Sequence, residues 1–413
     1  MQRVVVRLAI CVFVPGLLLQ PGDGVAQGID SSPHLPASVV VRSDRVAVYR
    51  EPDSRASRRG AAVEGHRLPV YRFSEGRGCS SRWVEVYAEG WICGDRLVPS
   101  ALAPDADALP ILPEGQLTPY PCAFAREGGT PVFDRLSDAL LNWSNRWLED
   151  GWAVSVRRRT TYEGERYYGT AGGDYVRASE VYVARPSTFQ GEELAGPEDL
   201  GWTFRSSTRI RDHLPGAGSS HERSIGSQVA LRFVAEHEVG ATAWLELADD
   251  GGFVRASDVR RTDYVAPPEE VGPYDVWFDI NRASQTLVAY RGEEPIYATM
   301  VSSGRRGHTT PPGTFRVWVK LITDRMANEE PSNPEEKPYY LEDVPWVMYF
   351  NDDIALHGAY WHKAFGHVRS HGCVNLAPID ARWVFDHAQP ALPRGWWSVL
   401  PTADDPGSLV HVR

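Results

Sequence analysis

The sequence predicts a mostly β fold, with small β-units in series ahead of a larger β-domain that carries one short helix. Three observations lead there. Thirty-seven glycines and 14 tryptophans in 413 residues suit a chain of many turns and half-buried strands. Apolar residues alternate over short runs, as in Val46–Tyr49, Leu68–Phe73 and Arg82–Tyr87, which is the period of a strand. A closing phrase also recurs, first as Gly90–Val98, then as Gly173–Val181, then as Gly252–Val259. Aligned on the aromatic, Trp91 and Tyr175 lie 84 positions apart (175 − 91), and Tyr175 and Phe253 lie 78 apart (253 − 175). The length implies more than one domain. A formal net charge of −11 and a pI of about 5.6 exclude a nucleic-acid or anionic-membrane binder.

Residues 1–26 read as a secretory signal, with Arg3 and Arg7 at a basic start, an apolar run Val4–Leu19, and small residues Gly24, Val25 and Ala26 at the cleavage site. A membrane anchor needs about 20 apolar residues, and this run is broken by Arg7 and Pro15. No later segment is apolar enough to span a bilayer. The chain is therefore expected to be exported to the periplasm or cell envelope, without stable membrane insertion. Residues 27–37 form a polar lead-in. Of five cysteines, Cys11 leaves with the signal. Cys79 and Cys93 flank two alternating runs that read as a hairpin, and a bridge between them would contribute about 3 kcal/mol. Cys122 is then left free, or competes for one of the two.

Residues 38–100 open on Val48-Tyr49-x-x-Pro52 and close on Gly90-Trp91-Ile92. This pattern resembles a bacterial SH3-like barrel. The recurring phrase extends the resemblance to two divergent SH3-like units, 117–184 and 200–261; Thr130–Phe133 in the first of these echoes Ala47–Tyr49. One irregular β-domain whose strands end alike is the alternative. Ala101–Gln116 and Thr262–Pro273 read as linkers, the second rich in Pro and Glu. A last domain, 273–401, should start fresh after it and fold alone. Its expected strands are Tyr274–Asn281, Thr286–Arg291, Ile296–Ser303, Thr314–Ile322, Pro345–Phe350, Ile354–His357 and Pro393–Leu400. Pro378–His387 reads as a short amphipathic helix, with Ile379, Trp383 and Phe385 on one face. Asp324–Val344 is polar, acidic and broken by Pro, and is either a flap or a surface insertion.

The chemistry lies in His357–Asn375. His357-Gly358 precedes Ser370-His371-Gly372-Cys373-Val374-Asn375, with sixteen positions from the histidine to the cysteine. A thiol attacks as its thiolate, so it needs a base, and an imidazole can take that proton and return it to a leaving amine. Gly372 leaves room beside Cys373 and lets backbone N–H groups face a developing oxyanion. The alternative is a zinc site made of His357, His362, His367, His371 and Cys373. Their spacing fits no common zinc module.

These residues resemble the signature of the L,D-transpeptidases, the YkuD-like enzymes that cross-link peptidoglycan; the strands after Pro273, Ser302-Ser303-Gly304 and Thr310–Phe315 are also similar to the start of that domain. The resemblance implies a C-terminal L,D-transpeptidase β-sandwich and an attack by Cys373 on a tetrapeptide stem. D-Alanine would leave, and an amine on a second stem would resolve the acyl-thioester. It also implies His357 as proton acceptor and donor, Gly358 as the backbone carbonyl orienting it, and Gly372 and Cys373 as oxyanion donors. Ser370, His371, Asn375, Trp361 and Tyr349 are candidate substrate contacts, Asn375 also as a loop lock. Asp324–Val344 matches the family's flap in position. His362 and His367 receive no role. Peptidoglycan stem peptides are the expected partners, and no metal or organic cofactor is implied. The motif leaves the acceptor open: an amine, water (a carboxypeptidase) or a protein lysine (an anchoring enzyme). A wall-binding protein whose catalysis has decayed is the further alternative, which an intact His357 and Cys373 oppose.

Overall fold

A computed structural model describes residues 36–413 except 106–109, 111, 145, 219, 250 and 332–335. The leader read over residues 1–26 lies outside the described residues. The described chain is mostly β. Its C-terminal part is a two-layer β-sandwich. One layer is a meander of Val276–Asn281, Thr286–Arg291 and Glu294–Met300. Leu409–Val412 continues it, parallel to the first strand and antiparallel to Gly313–Arg316. The other layer pairs Val319–Asn328 with Tyr339–Asn351, then Ile354–Gly358, then, in parallel, Val374–Leu376. Phe278, Ile280 and Leu287 meet Trp346, Met348, Leu356 and Val374 between the layers. The sequence expectation of one strand over Thr314–Ile322 gives way to two, broken at Val317 and Trp318.

Val276–Asn281 is buried on both faces rather than alternately exposed. Its outer neighbours explain this. Trp277, Val288, Tyr290 and Met300 pack against Phe189, Leu200 and Trp202 from the preceding region. Burying a large aromatic such as Trp202 contributes about 3 kcal/mol. The helix spans Pro378–His387, with Pro at its first turn, and buries Asp380, Ala381, Val384 and Phe385. Asp380 accepts hydrogen bonds from Tyr297 Oη (2.6 Å) and Gly191 N (2.8 Å), so it ties the helix to the first layer and to the chain before it.

The N-terminal strands join these sheets. Arg58–Ala62 pairs with Trp396–Val399. Ala153 pairs in parallel with Leu341, and Glu192–Glu193 with Ala298 and Tyr297. The segment after Pro273 has a core between its own two layers, to which the earlier chain adds Ala61 among the buried members, and earlier residues also cover its outer face. The Pro-rich stretch marks where the chain crosses over, and the packing continues through it.

The recurring phrase takes one local form. Gly90–Cys93 runs into a 3₁₀ turn Gly94–Arg96 and strand Leu97–Ser100, and Phe253–Arg255 runs into Ala256–Asp258 and Val259–Arg261. Tyr175–Arg177 turns likewise into Val181–Val183. Ile92, Val176 and Val254 take the same fully buried place in each. A disulfide joins Cys79 to Cys93, and Cys122 is free and buried.

Asp324–Val344 is not an irregular insertion. It is the end of a long hairpin whose strands are Val319–Asn328 and Tyr339–Asn351. Two of its acids, Glu342 and Asp343, turn inward. Asp343 receives Arg157 at 2.7 and 2.8 Å and Thr323 Oγ1 at 2.6 Å, and Glu342 receives Ser155 N at 2.9 Å. Arg157 and Ser155 come from over 180 positions earlier, beyond the reach of a local reading. Among the described residues, no helix is long and apolar enough to cross a membrane.

Candidate active site

Two parallel strands set the site. Leu356 pairs with Val374 and His357 with Asn375. One step back, Cys373 stands beside Ala355, whose N–H donates to Cys373 Sγ at 3.4 Å. Alternation then puts the thiol and the imidazole of His357, two residues on from Ala355, toward the same side. Both line one cavity of about 310 Å³, with Trp361, His362, Arg369, Ser370, His371 and Asn375.

His357 is buried, and its Nδ1 lies 3.3 Å from Gly358 O. A carbonyl only accepts, so this contact places the proton on Nδ1 and leaves Nε2 with a lone pair. Gly358 itself is tightly enclosed; a Cβ there would stand 3.0 Å from Pro345 Cγ and 3.3 Å from the Ala381 Cβ. Burial lowers the His357 pKa to about 4, against the raising effect of the Gly358 carbonyl. Burial raises Cys373 to about 11, opposed by the Ala355 N–H and aided by Asp353. Near neutrality the pair is thus a thiol and a neutral imidazole, and the proton must move as the sulfur attacks.

The loop before Cys373 is bolted down. Gly372 takes φ +125°, a left-handed conformation suited to glycine. Ser370 Oγ donates to Cys373 O and accepts from Gly372 N at 3.1 Å. Thr310 Oγ1 donates to Gly372 O at 2.7 Å. Ser302 and Asn375 exchange backbone hydrogen bonds of 2.9 Å, and Arg305 N donates to Ser370 O. The Ser302–Gly304 segment is therefore the bed of the loop that carries Cys373. Gly372 N–H is thus engaged by Ser370 within the loop.

His371 accepts from Arg305 Nη2 at 2.8 Å and stacks on Tyr339 at 5.3 Å. His308, Glu336 and His371 each bring a possible ligand atom within 4.8 Å of the others. His308 is already paired with Glu336 at 2.5 Å, and Arg305 occupies His371 Nε2. The group reads as a hydrogen-bonded chain from hairpin to loop. Of the five residues weighed from sequence as zinc ligands, it contains His371.

Asn375 reaches His362 with 2.9 Å between its Nδ2 and His362 Nε2, while Ala364 N donates to His362 Nδ1 at 3.2 Å. Burial, then Arg369 and His357, lowers His362 to about 3, so it is neutral. With Nδ1 accepting, Nε2 carries the proton and needs an acceptor. Turning the Asn375 amide over supplies one in Oδ1, which otherwise has no partner. Both nitrogens of His362 are then engaged. Trp361 lies 5.6 Å from the His357 ring. Tyr349, a predicted substrate contact, is not among the residues lining the cavity; its hydroxyl donates to Asp324 at 3.0 Å and its ring stacks on Trp318. Sequence reading missed Phe124, Gly151, Met326, Lys337 and Tyr339, which also line the cavity. The flap-like position of Asp324–Val344 was the signal for three of them; nothing local marked Phe124 or Gly151.

Covalent acylation of Cys373 is expected to depend on this neutral pair. His357→Ala should slow it about 100-fold. In the unmodified chain its rate should stay level between about pH 5 and pH 10. It should fall as pH drops through about 4, where His357 takes a proton and can no longer accept one. Stopped-flow acylation across pH, with thiolate absorbance alongside, checks this. A thiolate signal at neutral pH would show a preformed ion pair and contradict it.

Residues 275–412 match the model of the YkuD family, the L,D-transpeptidase catalytic domain. YciB of Bacillus subtilis (strain 168), provisionally named an L,D-transpeptidase, is 27% identical over 157 residues, which is 32% of this chain and 75% of that protein. L,D-transpeptidase 2 of Mycobacterium tuberculosis (strain CDC 1551 / Oshkosh) is 29% identical over 102 residues, 23% of this chain and 24% of that protein. The chain thus spans three quarters of YciB but about a quarter of the mycobacterial enzyme. Among solved structures, the catalytic domain from E. faecium L,D-transpeptidase matches at 21% identity with a TM-score of 0.26, over 34% of this chain and 98% of that one.

Proposed function

We propose that this protein is an exported peptidoglycan L,D-transpeptidase acting through Cys373. The observation that carries the reading is the shared cavity, in which Cys373 and an Nδ1-protonated His357 open on one space. His357 Nε2 takes the thiol proton as Sγ attacks the carbonyl of the third stem residue. The Cys373 N–H stabilises the oxyanion, and Gly372 N–H joins it when Ser370 Oγ releases it. The C–N bond breaks, the imidazolium returns its proton to the departing D-alanine amine, and an acyl-thioester remains. A second stem's amine then attacks, the C–S bond breaks, and the thiol is restored. His371, Trp361, Asn375 and Tyr339 shape the cavity for the donor stem. The N-terminal β-units, read as SH3-like, hold the chain near the wall.

Incubation with a tetrapeptide-containing muropeptide, followed by mass analysis, tests this. The expected product is a cross-linked dimer that has lost one D-alanine. Trimmed tripeptide stems alone would make the enzyme a carboxypeptidase, and an unmodified substrate would defeat the reading.

A further inference from the structure

A second groove, of about 370 Å³, lies between the 200–261 region and the segment from His357 to Cys373. Phe204 and Gln228 form one wall, and Lys363, His367 and Arg369 the other. His362 and Arg369 line both this groove and the Cys373 cavity, so the two spaces meet at those side chains. The wall is built rather than incidental. Gln228 Nε2 donates to Lys363 O at 2.7 Å, Arg260 Nε to Gly366 O at 2.7 Å, and His367 Nε2 to Phe204 O at 3.2 Å.

The charge of the groove departs from that of the chain. The whole protein carries −11, yet no carboxylate lines this groove. Among the described residues, neither the Lys363 ammonium nor the Arg369 guanidinium has a carboxylate partner. Two unpaired cations beside an apolar ring suit a ligand with a free carboxylate. A transfer reaction also needs a second substrate to reach the thioester while the first fills the Cys373 cavity.

We propose that this groove binds the acceptor: a peptide with a free carboxylate held by Lys363 and Arg369, and a primary amine directed past His362 to the thioester. The proposal rests on the transpeptidase reading above. The acceptor nitrogen forms the new C–N bond, the C–S bond breaks, and the amine's proton passes through His357 to Cys373 Sγ. The 200–261 region thereby takes part in choosing the acceptor.

The test follows the acyl-enzyme by mass as it partitions between an amine acceptor and water. Lys363→Glu should lower the ratio of transfer to hydrolysis about tenfold, and Lys363→Arg should restore it. An acceptor whose carboxylates are amidated should transfer poorly to the unmodified chain, with no further loss in Lys363→Glu. Lys363 is exposed, so the variant should melt as the parent does. An unchanged ratio, or an equal fall with the amidated acceptor, would overturn the groove assignment. Failure to form any acyl-enzyme would instead remove the transpeptidase reading, and this inference with it.

Discussion

Replacing Cys373 with alanine is expected to abolish covalent capture of a carbapenem, while replacing Cys122 leaves it intact. The reasoning is that a β-lactam carbonyl would occupy the place of the stem carbonyl and acylate the same sulfur. Cys373 Sγ opens on the cavity and receives the Ala355 N–H, a partner that favours the thiolate as it forms. Cys122 is buried, its sulfur held toward Tyr120 O and Glu342 O, with burial pushing its pKa up. Cys79 and Cys93 are joined. Intact-protein mass after incubation should show one adduct on the parent and none on Cys373→Ala. An adduct surviving on that variant would sink the assignment of the nucleophile.

Removing residues 27–270 is expected to cost the remainder both its stability and its acylation. Three strand pairings would be cut, at Trp396–Val399, Leu341 and Glu294–Met300. Trp277 would lose the cover of Phe189, Leu200 and Trp202. Asp343 would lose Arg157, and leaving a buried charge unpaired costs about 3 kcal/mol or more. Phe124 and Gly151 would leave the wall of the Cys373 cavity. Each loss is comparable with a sizeable part of the net stability of a domain. Chromatography, thermal melting and carbapenem acylation of the truncated chain provide the check. A monomer that melts cooperatively and acylates at the rate of the full chain would show that the C-terminal part is self-sufficient after all.

What could be read from the sequence was local. The helix Pro378–His387 is marked by its proline start and apolar spacing, and the strands from Val276 to Met300 by their alternation. His357 and Cys373 stand in a short stretch whose residue types carry the chemistry. The rest depends on partners distant in the chain. Glu342 and Asp343 look like solvated acids until Ser155 and Arg157 arrive beside them. Trp277 and Val288 look like the exposed face of a half-buried sheet until Trp202 covers it. His362 carries no motif of its own; its place depends on Asn375 across the parallel strand pair. Phe124 reaches the cavity from more than 230 positions away (357 − 124), beyond any periodicity argument.

The placement of the sulfurs has a redox consequence. With Cys79 tied to Cys93 and Cys122 sealed in the interior, Cys373 has no accessible thiol beside it among the described residues. If peroxide converts it to a sulfenic acid, the described residues offer no second accessible cysteine to condense with it and stop the progression to irreversible sulfinic acid. Recovery would fall to an external reductant. Among the described residues, the same isolation leaves Cys373 as the thiol a directed probe would label in the folded chain.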